Sequence, residues 1–298
     1  MSAGGSGFHW FCRARSTLLD VGAMSRSKLV RSGAAVGPAL VLTLAAFALD
    51  AAPSKTASLN PAPNKSNSKL TGAAAPNLVA PKGCPGGMAP IPTETGGFCI
   101  DRYEASVVEM TATGAAKAHS PYDPVTGLKV KAIVKKGGVP QGYISMLEAQ
   151  DACGAAGKRL CSNDEWLRAC QGKHPTKYPY GDDEIDGRCN ARDGVREHPV
   201  VELFGGLDAF YDPNKMNDPR INQLPETLTK SGEKKKCTNS YGVFDMVGNL
   251  HEWTADPGGS FKGGYYMDTH KNGDGCFYTT TAHGPSYHDY STGFRCCK

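Results

Sequence analysis

Ten cysteines, Cys84, Cys99, Cys153, Cys161, Cys170, Cys189, Cys237, Cys276, Cys296 and Cys297, punctuate the last three quarters of this chain, and their state limits what it can fold into. A zinc site would need a compact CxxC pair with a second pair or histidines at ligand spacing. The only close pair here is the adjacent Cys296-Cys297. An even set of scattered cysteines reads instead as disulfides, which form and persist outside a reducing cytoplasm.

The N-terminus agrees with export. Arg26, Lys28 and Arg31 precede an apolar stretch from Ala34 to Leu49, a pattern that resembles a signal peptide. Ala46, Ala48, Ala51 and Ala52 offer cleavage points, and Met24 is a more conventional start than Met1. The stretch has 16 residues and contains Pro38. It falls short of the ~20 residues of a membrane span, so a cleaved leader is expected and no stable span is. Cys12 leaves with that leader. The expected location is exported: periplasmic, cell-envelope or secreted.

The 298 residues divide into three parts. Residues 1–50 are the signal-peptide region. Residues 51–80, rich in Ala, Pro, Asn, Ser and Lys, have no apolar periodicity from which to build a core and read as a disordered linker. Residues 81–298 form one domain. A net charge of +4 with both signs interspersed is no phosphate-binding stripe, and Lys234-Lys235-Lys236, following Glu233, reads as a solvated loop. Nucleic acid is excluded as a partner. No repeat recurs that would build a solenoid or propeller.

Glycine and proline break the folded part into short runs, leaving few long elements. One helix is expected from about Ser145 to Gly157, with Met146, Ala149, Ala152 and Cys153 on one face and Gly157 as C-cap. A second starts at Ser162-Asn163-Asp164-Glu165, a capping box, with Trp166, Leu167 and Cys170 forming its apolar face. Gly97 to Ile100 and Phe294 to Cys296 read as short strands.

Six segments in order resemble the formylglycine-generating enzyme, or sulfatase-modifying factor, family. They are Gly97-Phe98-Cys99-Ile100-Asp101-Arg102-Tyr103-Glu104; Gly157-Lys158-Arg159-Leu160 with Asp164-Glu165-Trp166; Tyr178-Pro179-Tyr180-Gly181 with Asn190-Ala191; Asn239 through Asp245-Met246-Val247-Gly248-Asn249-Leu250-His251-Glu252-Trp253; Lys262-Gly263-Gly264; and Gly293-Phe294-Arg295-Cys296. The likeness runs from about Cys84 to Lys298. It implies a disulfide-rich α+β fold with little regular secondary structure, related to C-type-lectin-like domains. Fold membership does not by itself settle chemistry.

The family's oxidases convert a substrate cysteine to formylglycine with oxygen and copper held by two thiolates, ligands suited to Cu(I). Those thiolates lie five residues apart. Here Cys276 is followed five residues on by Thr281 and preceded by Lys271, so the pair is missing and copper is not expected. Cys276 is expected to close a disulfide with Cys296 or Cys297. The alternative, Cys276 as a lone thiolate beside His283 or His288, leaves it the one catalytic candidate. His283, His288 and Asp289 are read as surface or packing residues rather than a metal site, and His251 as a packing residue.

The resemblance also implies a structural calcium on Asp245, Gly248, Leu250 and Glu252, whose carboxylates and carbonyls suit a hard cation. A turn held by hydrogen bonds from Asp245 and Asn249 is the alternative. A second calcium site would use Asn190 and Ala191, though the sequence after Asp193 departs from the pattern. Three functions stay open: an exported module without formylglycine-generating activity that binds a protein or small-molecule ligand, a formylglycine-generating or related copper- and oxygen-dependent oxidase with an altered active site, and a structural part of a cell-envelope assembly.

Overall fold

The structure, a computed structural model, describes residues 77–192 and 196–298. The expected leader and the expected linker as far as residue 76 lie outside the described residues. Val79 already exchanges backbone hydrogen bonds with Thr93, two residues ahead of the expected domain boundary.

The chain begins with β1 (Met88–Ile91) and β2 (Phe98–Asp101), then β3 (Ser106–Met110), β4 (Ala116–Ala118) and β5 (Val130–Ile133). The helix α1 (Met146–Ala155) follows. Ser145 and Glu148 close a capping box at its start, so its first free N–H groups have partners. Its end is a Schellman turn: Gly157 sits at φ +68°, its N–H donates to Gly154 O, and Lys158 N–H donates to Cys153 O. Strand β6 (Arg159–Leu160) leads into α2 (Asn163–Gln171), where Ser162 and Glu165 form the expected box. Trp166, Ala169 and Cys170, at helical spacing, make its buried face. Leu167 only packs against the rim.

Two short helices, α3 (Pro199–Phe204) and α4 (Pro213–Met216), each with proline in the first turn, occupy the long connection to β7 (His251–Trp253). Strands β8 (Phe261–Lys262), β9 (Thr279–Thr280), β10 (Thr292–Phe294) and β11 (Cys296–Cys297) complete the chain. No helix among the described residues is long and apolar enough to cross a membrane.

Three small sheets carry the strand orders β1-β2-β11-β6, β10-β7-β8-β9 and β4-β3-β5. The expected strand from Phe294 to Cys296 is two strands. β10 runs parallel to β7 in one sheet, and β11 lies between β2 and β6 in another. The chain changes sheets at Arg295, whose side chain is wholly buried.

Three hydrophobic clusters replace a single large core. One gathers Ile91, Ile100, Trp166 and Met246; a second, Val107, Ile144, Trp253 and Phe294; a third, Tyr143, Ile221, Tyr266 and Tyr290. Disulfides weld the first two. Adjacent residues of a strand point to opposite faces, so Cys296 bonds Cys153 of α1 in the second cluster while Cys297 bonds Cys161 in the first. Cys84–Cys99, Cys170–Cys276 and Cys189–Cys237 use the other six cysteines. The expected pairing of Cys276 with Cys296 or Cys297 is therefore corrected. Cys276 lies under α2, whose last turn presents Cys170, while the two terminal cysteines are taken from either face of β11.

Candidate functional site

The segment from Asp245 to Glu252 reverses the chain in a tight turn with three left-handed residues, Asp245 at φ +56°, Gly248 at +75° and Asn249 at +63°. Aspartate and asparagine tolerate that region better than most side chains. Glycine is required at 248, because a Cβ there would run into the Asn190 carbonyl, which accepts from Asn249 N–H at 2.9 Å.

Asn249 is the hub of the turn. Its Oδ1 accepts from Asn190 Nδ2 and Thr229 N, each at 2.9 Å, and its Nδ2 donates to Glu104 Oε2 at 2.6 Å. Glu104 Oε1 accepts from Leu250 N–H at 3.2 Å. Asp245 Oδ2 accepts from Gly232 N–H at 2.6 Å. At the far end Glu252 receives three donors: Arg295 Nε at 2.6 Å and Trp166 Nε1 at 2.6 Å on Oε2, and Arg295 Nη2 at 2.5 Å on Oε1. Arg295 also donates to the carbonyls of Asp101 and Phe244. Asp101 in turn holds Lys158 Nζ at 2.6 Å and Cys296 N–H at 3.1 Å.

Three buried carboxylates, Glu104, Asp245 and Glu252, thus share one buried guanidinium. Burial, then repulsion from Asp245 and Glu252, holds Glu104 well above the usual carboxylate range. Burial pushes Asp245 up to about 7, against the pull of Gly232 N–H and Arg295. Among the described residues no group of three or more His, Cys, Asp or Glu side chains is placed to hold a metal ion, so a cation here would have to draw on backbone carbonyls as well. The residues expected to hold calcium, Asp245, Gly248, Leu250 and Glu252, lie together on this turn. Their fit is partial, since most of Glu252 is spent on Arg295 and Trp166. Asn190 is buried against the same turn and its Oδ1 has no hydrogen-bond partner among the described residues. Asp193, beside the second expected site, lies outside the described residues. The hydrogen bonds from Asp245 and Asn249, the metal-free alternative, are in place.

Cys276 is wholly buried and bonded to Cys170, so its sulfur is neither a thiolate nor a copper ligand in this state. His283 and His288 do not converge on it or on Asp289 as a metal set. His283 stacks face to face on Tyr287 at 3.6 Å, and His288 bridges Asn217 and Thr126. Asp289 is enclosed by the Tyr287 hydroxyl and by Ser291. His251 is a packing residue, lying against Phe261, Tyr265 and Tyr278. Its burial lowers its pKa to about 3, and its Nδ1 has no hydrogen-bond partner among the described residues.

One cluster has no counterpart in the sequence reading. His198 Nε2 lies 3.2 Å from Tyr265 Oη and 3.1 Å from Tyr290 Oη, while its Nδ1 accepts from Val200 N–H as the N-cap of α3. The acceptor role at Nδ1 requires the neutral ring with its proton on Nε2. Burial, then Lys271 and Arg196, lower its pKa to about 4. These three residues are 67 and 92 positions apart, and no spacing rule connects them.

Residues 88–298 match the family model described as sulfatase-modifying factor enzyme 1-like domain. Inactive C-alpha-formylglycine-generating enzyme 2 of Bos taurus is 29% identical over 117 residues, 39% of this chain and 32% of that protein. The Mus musculus protein of the same name is 25% identical over 189 residues, 59% of this chain and 53% of that protein. The chain thus spans about a third to a half of the curated relatives it matches. Among solved structures, Treponema denticola variable protein 1 gives a TM-score of 0.41 at 14% identity, covering 74% of this chain and 94% of that one. PvdO from Pseudomonas aeruginosa gives 0.38 at 16%, covering 70% and 82%.

Glu252→Gln removes the charge that Arg295 needs in a water-free site and is expected to cost about 3 kcal/mol in chemical denaturation. This is the low end for breaking a buried pair, because the carbonyls of Asp101 and Phe244 still accept from the guanidinium. An unchanged midpoint would show that the pair does not hold the fold. For His198, whose folded pKa lies below its unfolded value, the contribution to stability is present above about pH 6.5 and is lost as pH falls toward 4. Discounted for partial exposure, the loss is about 1 kcal/mol by pH 5. His198→Asn, which keeps an N-cap, should flatten the stability slope between those pH values relative to the parent; identical slopes would refute the assignment.

Proposed function

The chain belongs to the sulfatase-modifying factor enzyme 1-like family, and on that premise we propose that it is an exported, noncatalytic member that binds a protein or small-molecule ligand on its irregular loops. The observation that carries this reading is the Cys170–Cys276 disulfide. The one cysteine in the region where the family's oxidases keep their thiolates is committed to the fold. Both curated relatives are named as inactive formylglycine-generating enzymes, which supports the same direction. Five disulfides fit an oxidising compartment and support export. Loops form most of the surface, and a rigid, cross-linked body beneath irregular loops is a common way to present a binding face.

The same reading includes a structural calcium on Asp245, the carbonyls of Gly248 and Leu250, and Glu252, with Asn190 as a neighbouring oxygen donor. It would neutralise the excess of buried carboxylate without taking part in any reaction.

Incubating the oxidised protein with copper, oxygen and a Cys-x-Pro-x-Arg peptide should leave the peptide mass unchanged, with none of the ten cysteines from Cys84 to Cys297 reactive toward a thiol reagent before reduction. Loss of mass at the peptide cysteine would restore the oxidase reading, and two or more reactive thiols near Cys276 would remove the basis of this one. Millimolar calcium is expected to stabilise the protein by about 2 to 3 kcal/mol at a hundredfold excess over its Kd, and a chelator to reverse it. Asp245→Asn should weaken the response. A melting temperature indifferent to calcium and chelator would rule the site out.

A further inference from the structure

The Cys189–Cys237 disulfide sets the residue before each cysteine side by side. Arg188 Nε donates to the Lys236 carbonyl at 3.0 Å. The guanidinium lies over the Tyr180 ring, 4.3 Å from its centroid, and Tyr180 stacks in turn on buried Tyr178. Arg188 is therefore held at one edge and on one face. Its Nη1 and Nη2 donate to no protein group among the described residues, and no carboxylate lies within ion-pair distance of it.

Arg188 lines a pocket of about 280 Å³, together with Gln171, His174, Thr176, Tyr180 and Ser240. No carboxylate lines it. Ser240 Oγ accepts from Lys173 N–H, which leaves its own proton to donate. Lys173, next in sequence to the lining residue His174, and Lys235 and Lys236 are exposed, and none makes an ion pair among the described residues. The nearby acidic turn is close enough for Glu184 and Asp186 to act on the Tyr180 hydroxyl, but its carboxylates stay outside the pocket. Glu184 is engaged with His270, Asp182 accepts from Lys177 N–H, and neither these two nor Asp183 and Asp186 line the pocket. The lysine run, read from sequence as a solvated loop, thus stands beside an arginine that a disulfide delivers to it.

We propose that this pocket binds a tetrahedral oxyanion, a phosphate or sulfate group carried on a small ligand. A guanidinium fork held in one plane matches two oxygens of such a group, and hydroxyl and amide donors from Ser240 and Gln171 match the others. Its volume exceeds that of the bare ion, leaving room for a substituent over Pro179 and Tyr180. The assignment gives the binding-module reading one ligand class. It is tested without any assay of cysteine oxidation, so each can fail alone.

The test is calorimetric titration of the full chain, disulfides intact, with inorganic phosphate and separately with sulfate, at ionic strength held constant with sodium chloride. Saturable binding with a Kd in the millimolar range is expected for at least one of the two. Arg188→Gln should weaken it about tenfold or more, and Arg188→Lys, which keeps the charge but not the fork, should also weaken it. Ser240→Ala, with its melting temperature measured alongside because Ser240 Oγ also accepts from Lys173 N–H, should weaken it about threefold. The proposal is overturned if neither ion binds beyond the chloride background, if Arg188→Gln binds as the parent does, or if acetate binds as tightly as phosphate.

Discussion

The ion pair between Arg295 and Glu252 is the point at which the rest of this structure meets. Both side chains are essentially without solvent, and two nitrogens of one face two oxygens of the other at 2.5 and 2.6 Å. A buried pair of this kind adds little net stability over an apolar replacement, since two charges must first be stripped of water. Its effect is on arrangement. Arg295 satisfies its remaining donors only if the carbonyls of Asp101 and Phe244 are in place, and Glu252 only if Trp166 of α2 is. Strands from two sheets, a helix and the Asp245 turn are thereby set against one another, at the residue where the chain passes from β10 to β11.

The disulfides act on the same junction from outside. Cys296 and Cys297, next in sequence to Arg295, close loops whose ends are 143 and 136 residues apart. In the chain-entropy account the first such loop to close removes about 4.7 kcal/mol or more of freedom from the unfolded chain, and the second, whose ends lie within a few residues of the first, removes much less. Three modest hydrophobic clusters connected by long irregular segments have fewer apolar contacts per residue than one large core, and cross-links offset part of that deficit. Cys170–Cys276 belongs to this set by its burial and by its place beneath α2. Cysteine in this protein is spent on architecture, and the polar pocket at Arg188 is one product of it, since Cys189–Cys237 brings Arg188 to Lys236.

Much was legible in the sequence where the determinants are local. The capping box at Ser162 and Glu165 and the Gly157 C-cap each depend on residues a few positions apart, and each is found where the pattern places it. The order of six short segments carried the family assignment, because each is a piece of local geometry that the fold reuses.

What remained for the tertiary structure was every choice among distant partners. Ten cysteines announce cross-links but not which pairs, and only the placement of α2 over the 275–277 turn joins Cys276 to Cys170 rather than to Cys296 or Cys297. The strand expected from Phe294 to Cys296 breaks because Arg295 must reach Glu252, a requirement invisible until both are inside. His198 meets Tyr265 and Tyr290, and Arg188 meets Lys236, only after the chain has returned on itself. The sequence by itself pointed to disulfides and hence an oxidising environment, carried the family resemblance in the order of its motifs, and determined the local turns, since each of these is written in residue type and short-range order. The partners of its cysteines, charges and histidines were decided by the fold, since contact between residues a hundred positions apart is a property of packing and not of spacing.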